Sequence, residues 1–114
     1  MFNLNDNINY WLFSEPTDMR KSFYSLSGIV SNIMERDPLN GDAYIFINKS
    51  LNRMKILRME HGGFVLYSKI LEVGRFHRPE LCGNMYWRDL VVMVEGIVEK
   101  TSSRIRRLPM PTKR

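Results

Sequence analysis

The stretch "AYIFINKSLNRMKILRMEHGGFVLYSKILE", residues 43–72, decides the fold. It contains three strand-like runs, AYIFIN (43–48), RMKILRME (53–60) and FVLYSKILE (64–72). Their links, KSLN and HGG, have hairpin length. A parallel return would need a long crossover, so links this short predict antiparallel neighbours. Within 53–59, Arg53, Lys55, Leu57 and Met59 share one face, and Met54, Ile56 and Arg58 share the other. Each face mixes apolar and charged residues, so the alternation does not assign the side that meets a helix.

Upstream lies "TDMRKSFYSLSGIVSNIM" (17–34). Met19, Phe23, Leu26, Val30 and Ile33 recur at steps of four and three, one apolar stripe on a helix expected over 18–35. Thr17 or Asp18 can cap its start, just after Pro16. "RDPLNGD" (36–42) ends it, because Pro38 disfavours helix at Asp37 and Asn40-Gly41 signals a turn. Before the helix, "INYWLF" (8–13) reads as a first strand.

Downstream, "VGRFHRPELCGN" (73–84) is turn-rich, with a short strand expected at 75–78. "MYWRDLVVMVEGIVEK" (85–100) reads better as helix than as strand. Tyr86, Leu90, Met93, Val94 and Ile97 fall on one face, and Glu95, Glu99 and Lys100 on the other. Gly96 weakens that helix by about 1 kcal/mol relative to alanine. The sum is an α+β fold: an antiparallel sheet of four or five strands with helices 18–35 and 86–99 packed on it. Residues 1–99 form a single domain, and "TSSRIRRLPMPTKR" adds a flexible tail over 100–114.

With 114 residues, 44% hydrophobic and 25% charged, the chain has the composition of one globular domain. No apolar run nears the roughly 20 residues that span a bilayer. The first residues carry no basic n-region or small-residue cleavage site. One cysteine, Cys82, excludes an internal disulfide framework and suits a reducing compartment. The expectation from these features is a cytoplasmic protein free of membrane. The net charge of +5 is unevenly placed. From Lys100 onward stand six cations and no acid, leaving eleven cations against twelve acids in residues 1–99, about −1. Basicity is thus a property of the tail rather than of the body.

The segments "FSEPTDMRKSFYSLSGIV", "DPLNGDAYIFINKSLNRMKIL", "GGFVLYSKILEVGRF" and "VMVEGI" resemble, in order and spacing, a known family over roughly residues 9–98. It is the family of short accessory proteins of IS-sixty-six type insertion sequences, often called TnpB or second-open-reading-frame proteins. The shared signals are a T-D-M-R-K-S-F helix start, a D-P-x-x-G-D turn, F-x-N-K/R and G-F-x-L-Y-x-K-x-L-E-x-G. Where relatives often carry tryptophan and proline after the last strand, this chain has "RFHRPEL", and Tyr86 and Trp87 make its next segment more aromatic. The resemblance implies a protein encoded beside a separate DDE transposase and supporting movement of the element. An unrelated RNA-guided nuclease shares the name, but a chain of 114 residues is far too short for that enzyme.

Three groups of cations are candidates for anion contact. Arg20 and Lys21 open the expected helix, whose N-terminus and dipole favour anions such as a DNA phosphate. The bland alternative is a surface ion pair with Asp18, Glu15 or a carboxylate of the body, and an acid on the transposase would serve equally. The hairpins carry Lys49, Arg53, Lys55, Arg58 and Lys69, interleaved with Tyr44, Phe64 and Tyr67. Such a surface can track a phosphate backbone, although aromatics so placed are more often core and edge lysines deter aggregation. In the tail, Arg104, Arg106 and Arg107 would attract a polyanion in a salt-dependent way.

Chemistry has little to work with. His61, His77 and Cys82 lack zinc spacing. Asp37 and Asp42 flank a turn and Asp18 suits a cap, so neither these nor Glu60 read as metal ligands. No P-loop or nucleophile elbow is present. The expectation is a non-catalytic accessory factor for transposition, without cofactor or metal. It would bind DNA, at the element's ends or non-specifically, the DDE transposase, or both, with homo-oligomerisation left open. The alternative is a protein-interaction adaptor that never touches DNA.

Overall fold

A computed structural model describes residues 4–77 and 83–94. It has β1 (Tyr10–Leu12), α1 (Phe23–Asn32), β2 (Ala43–Ile47), β3 (Arg53–Glu60), β4 (Gly63–Ile70) and β5 (Gly83–Met85), followed by helix α2 over 87–94. The five strands form one sheet in the order β4-β3-β2-β1-β5. The two hairpins are as read: Ile45 faces Ile56, and Ile56 faces Tyr67, in unbroken antiparallel register. The fold is α+β and mostly antiparallel. One pair departs from the expectation, since β1 lies parallel to β2, with Trp11 opposite Tyr44. The segment between them, including α1, supplies the long crossover a parallel pair requires.

The sheet is covered on both faces. On one, Phe13, Tyr44, Phe46 and Leu57 pack beneath Leu26 and Val30 of α1. On the other, Tyr10, Leu12, Ala43, Ile45, Ile47, Met54 and Ile56 pack with Met85 and with Leu90, Met93 and Val94 of α2. All five residues of β2 are buried. Its side chains alternate between the two cores, so it reads as a continuous apolar run. The ambiguity at 53–59 is resolved: Leu57 shares the α1 core, and Met54 and Ile56 share the α2 core.

Several boundaries shift. The first helix begins at Phe23 rather than at residue 18, with Ser22 as its cap. Thr17 is still tied to the sheet through its N–H to the Ile47 carbonyl (2.9 Å), and Asp18 closes a turn by accepting the Lys21 N–H (3.1 Å). It ends at Asn32, so Ile33, expected in the stripe, is 60% exposed, and Ile29 packs on the core instead. Glu35 takes a left-handed conformation (φ 56°) to turn the chain. No strand forms at 75–77. Buried Phe76 instead donates its N–H to the Leu51 carbonyl, and His77 donates to Met93. The fifth strand arises later, at Gly83–Met85, antiparallel to β1. Tyr86 is exposed rather than core, because it caps α2. Its N–H donates to the Asp89 carboxylate (3.0 Å), and Trp87 takes the inward place beside Tyr10. Ile97, Cys82 and the whole tail lie outside the described residues.

Candidate nucleic-acid interface

Two turns meet at one end of the sheet. The first is built on Asp18, whose carboxylate accepts the Arg20 backbone N–H (2.9 Å) and the Arg20 guanidinium (2.7 Å). The bonded guanidinium holds the Asp18 carboxyl well below the usual carboxylate range, and Asp18 in turn raises Arg20. The second turn is built on Asn48. Its side-chain oxygen accepts the N–H groups of Asn52 and Arg53 (both 3.0 Å), and its amide donates to the Asn52 side chain (2.8 Å). Leu51 completes this turn in the left-handed region (φ 60°). Lys49 and Ser50 are left at its exposed tip.

Between the turns lies an open cavity of about 520 Å³, lined by Pro16 to Arg20 on one side and by Asn48, Lys49, Ser50, Asn52 and Arg53 on the other. Arg20, Lys49 and Arg53 are therefore brought to one concavity from segments some thirty residues apart in the chain. Lys49 and Arg53 are exposed and make no ion pair with another described residue. Arg20 carries a neutralising partner, although its side chain remains 91% exposed.

The remaining candidates lie elsewhere. Lys21 and Arg20 precede the cap of α1 rather than occupying its first turn, so the expected convergence on a helix N-terminus is not formed. Lys55 points back to this strap and donates its Nζ to the Lys21 carbonyl (2.9 Å). Arg58 is turned inward, donating to the Gly41 carbonyl (2.8 Å) and pairing with Glu60 (3.3 Å), which also accepts the Tyr67 hydroxyl. Lys69, opposite Met54, is exposed on outer strand β4 and shares the α2 face. The hairpin cations thus do not share one face. Tyr44 is core, with its hydroxyl held by the Asp37 carbonyl and the Asn40 side chain. Arg104, Arg106 and Arg107 lie outside the described residues.

The D-P-x-x-G-D turn is bound inward. Asp42 accepts the Trp11 indole N–H (3.0 Å) and pairs with Arg36 (3.5 Å), whose guanidinium lies 3.7 Å over the Trp11 ring. Sequence reading missed this cluster and the organising role of Asn48, although the asparagine of F-x-N-K/R was a signal in view. Among the described residues no group of three or more His, Cys, Asp or Glu side chains is placed to hold a metal.

A family described as "IS66 Orf2 like protein" matches residues 8–104. The chain belongs to this family. The IS66 Orf2-like proteins are insertion-sequence-associated accessory proteins, not a known catalytic family. Two relatives from Sinorhizobium fredii (strain NBRC 101917 / NGR234) are similar. "Uncharacterized protein y4hO" is 32% identical over 77 residues, covering 68% of this chain and 67% of its own. "Uncharacterized protein y4jC" is 28% identical over 105 residues, covering 88% and 87%. No solved structure matches significantly. In this IS66 Orf2-like chain, Thr17 to Arg20 of T-D-M-R-K line one wall of the cavity, and Asn48 and Lys49 of F-x-N-K line the other. None of the described helices is long and apolar enough to cross a membrane.

Proposed function

We propose that this accessory protein supports transposition by holding DNA phosphates in the cavity between the Asp18 and Asn48 turns, without catalysing a bond change. Convergence of Arg20, Lys49 and Arg53 on one open concavity carries the reading. A phosphate needs a donor-lined hollow reachable from outside, and Asn and Ser side chains there add neutral hydrogen bonds. Lys21 closes the same turn just outside the cavity lining, and the basic tail adds reach along the backbone. Arg58 and Lys55, already bonded within the fold, contribute structure instead.

The test is binding of a labelled duplex bearing the element's ends, followed by anisotropy across a salt series. Each lost phosphate contact lowers the slope of log K against log salt by about 0.9. Lys49→Ala combined with Arg53→Ala should therefore lower it by nearly 2, with the fold retained. An unchanged slope refutes the cavity as a phosphate site.

A second reading, an adaptor that binds the DDE transposase alone, is favoured by the body charge of about −1 over residues 1–99 and by the Asp18–Arg20 pair. Deleting residues 100–114 separates the two. Complete loss of DNA retention with transposition intact supports the adaptor.

A further inference from the structure

We infer that the free edge of β4 is a self-association surface, at which a second copy of this chain adds its own β4 in antiparallel pairing. β4 is the outermost strand, paired only with β3 among the described residues, and it is eight residues long. The opposite edge, β5, has three. Sheets normally blunt an edge with charge, proline, a bulge or shortness. None of these operates over most of β4. Its register with β3 is unbroken from Gly63 to Ile70, and "GFVLYS" (63–68) carries no charge and no proline.

The ladder fixes which backbone groups face outward. The Leu71 N–H donates to the Asn52 carbonyl (2.8 Å), extending the β3–β4 register. Bonded and non-bonded positions alternate along an antiparallel pair. Gly63, Val65, Tyr67 and Lys69 therefore bond to β3, while Phe64, Leu66, Ser68 and Ile70 direct their N–H and C=O groups outward. A second strand would satisfy the whole row in place of water.

The side chains fit a copy of the same strand. A two-fold axis normal to the sheet pairs β4 with itself antiparallel and keeps each face on its own side. Phe64 and Leu66, half-buried over the α1 core, then continue one apolar layer, and half-buried Val65 and Tyr67 continue the other. The one charge, Lys69, falls beside the glycine end of the opposite strand, so the two lysines stand apart instead of colliding. Ile70, 59% exposed, gains cover at the same place. This surface is separate from the basic cavity and does not depend on the phosphate reading.

A strand pair of this size lies at the small end of stable interfaces, below about 1,200 Å², so association in the micromolar range is expected. Sedimentation velocity of the full chain from about 1 to 100 µM brackets that range and should show a reversible monomer–dimer equilibrium. Ser68→Pro removes an outward N–H without breaking a β3 bond and is expected to yield monomer with unchanged far-UV circular dichroism. Ser68→Ala should still dimerise. A wild type that stays monomeric throughout, or a folded Ser68→Pro that still dimerises, overturns the inference. Should Ser68→Pro fail to fold, amide exchange of the wild type decides. Phe64, Leu66 and Ser68 slowing with concentration supports pairing between copies. Exchange independent of concentration, fast or slow, overturns it.

Discussion

The turn at 36–42 and the turn at 17–21 are both built on an aspartate, yet they treat their charges in opposite ways. In the first, Asp42 is 14% exposed and gathers Trp11, Arg36 and Asn40, while Asp37 accepts the Leu39 N–H. In the second, the Asp18 and Arg20 side chains pair with each other at the surface. A motif dense in charged residues can therefore be buried scaffold or exposed surface, and composition does not separate them. What separates them is cover: Asp42 lies beneath Trp11 and Arg36, whereas the Asp18 side chain is 43% exposed. The 36–42 turn abuts β1 and β2, whereas the 17–21 turn leaves the sheet at Thr17.

The contrast predicts a large stability effect at one turn and a small one at the other. Asp42→Ala leaves the Trp11 N–H and the Arg36 guanidinium without their partner, which costs about 2–3 kcal/mol. Thermal unfolding should fall by roughly 10–15 °C for a domain of this size. A shift within about 2 °C would mean that the 36–42 network is not the scaffold described.

A smaller effect is expected one step out along the same network, where Arg58 links the Gly41 carbonyl to Glu60 and Tyr67. Burial and the Glu60 carboxylate push the Tyr67 hydroxyl from 10.0 up to about 12. A pKa raised on folding gives stability that is present below the unfolded value and lost as pH rises through the folded one. Stability should therefore decline between pH 10 and about 12, and Tyr67→Phe should remove that part of the decline. Denaturant midpoints across this range measure it.

The smallest effect belongs to the 17–21 turn. Asp18 titrates below the usual carboxylate range because Arg20 bonds its charged form. Its contribution is present at neutral pH and is lost only as pH falls through the depressed value. Carbon-detected NMR titration should find Asp18 low in the wild type and shifted upward in Arg20→Ala, with little change in melting temperature. A melting shift comparable with that of Asp42→Ala would erase the distinction between the two turns.

Much of the fold was legible because hairpins are local: KSLN and HGG each join strands that face one another directly. The parallel place of β1 was not legible, since a three-residue strand carries no mark of its neighbour. Periodicity found Leu26, Val30, Leu90, Met93 and Val94, and failed at Ile33 and Tyr86, where caps override the helical period. Of the candidate site, Lys49 and Arg53 could be named, but their meeting with Arg20 depends on tertiary approach. The tie of Arg58 to Gly41 was hidden for the same reason.

Because β1 lies between β2 and β5, Tyr10 meets Ala43 on one side and Met85 on the other. During synthesis the β2–β3–β4 meander can close as soon as its own residues emerge, whereas the earliest-made strand must wait for nearly the last described one. Among the described strands, the aromatic one around Tyr10 and Trp11 thus waits longest for its final neighbours, with its apolar surface open to wrong contacts meanwhile.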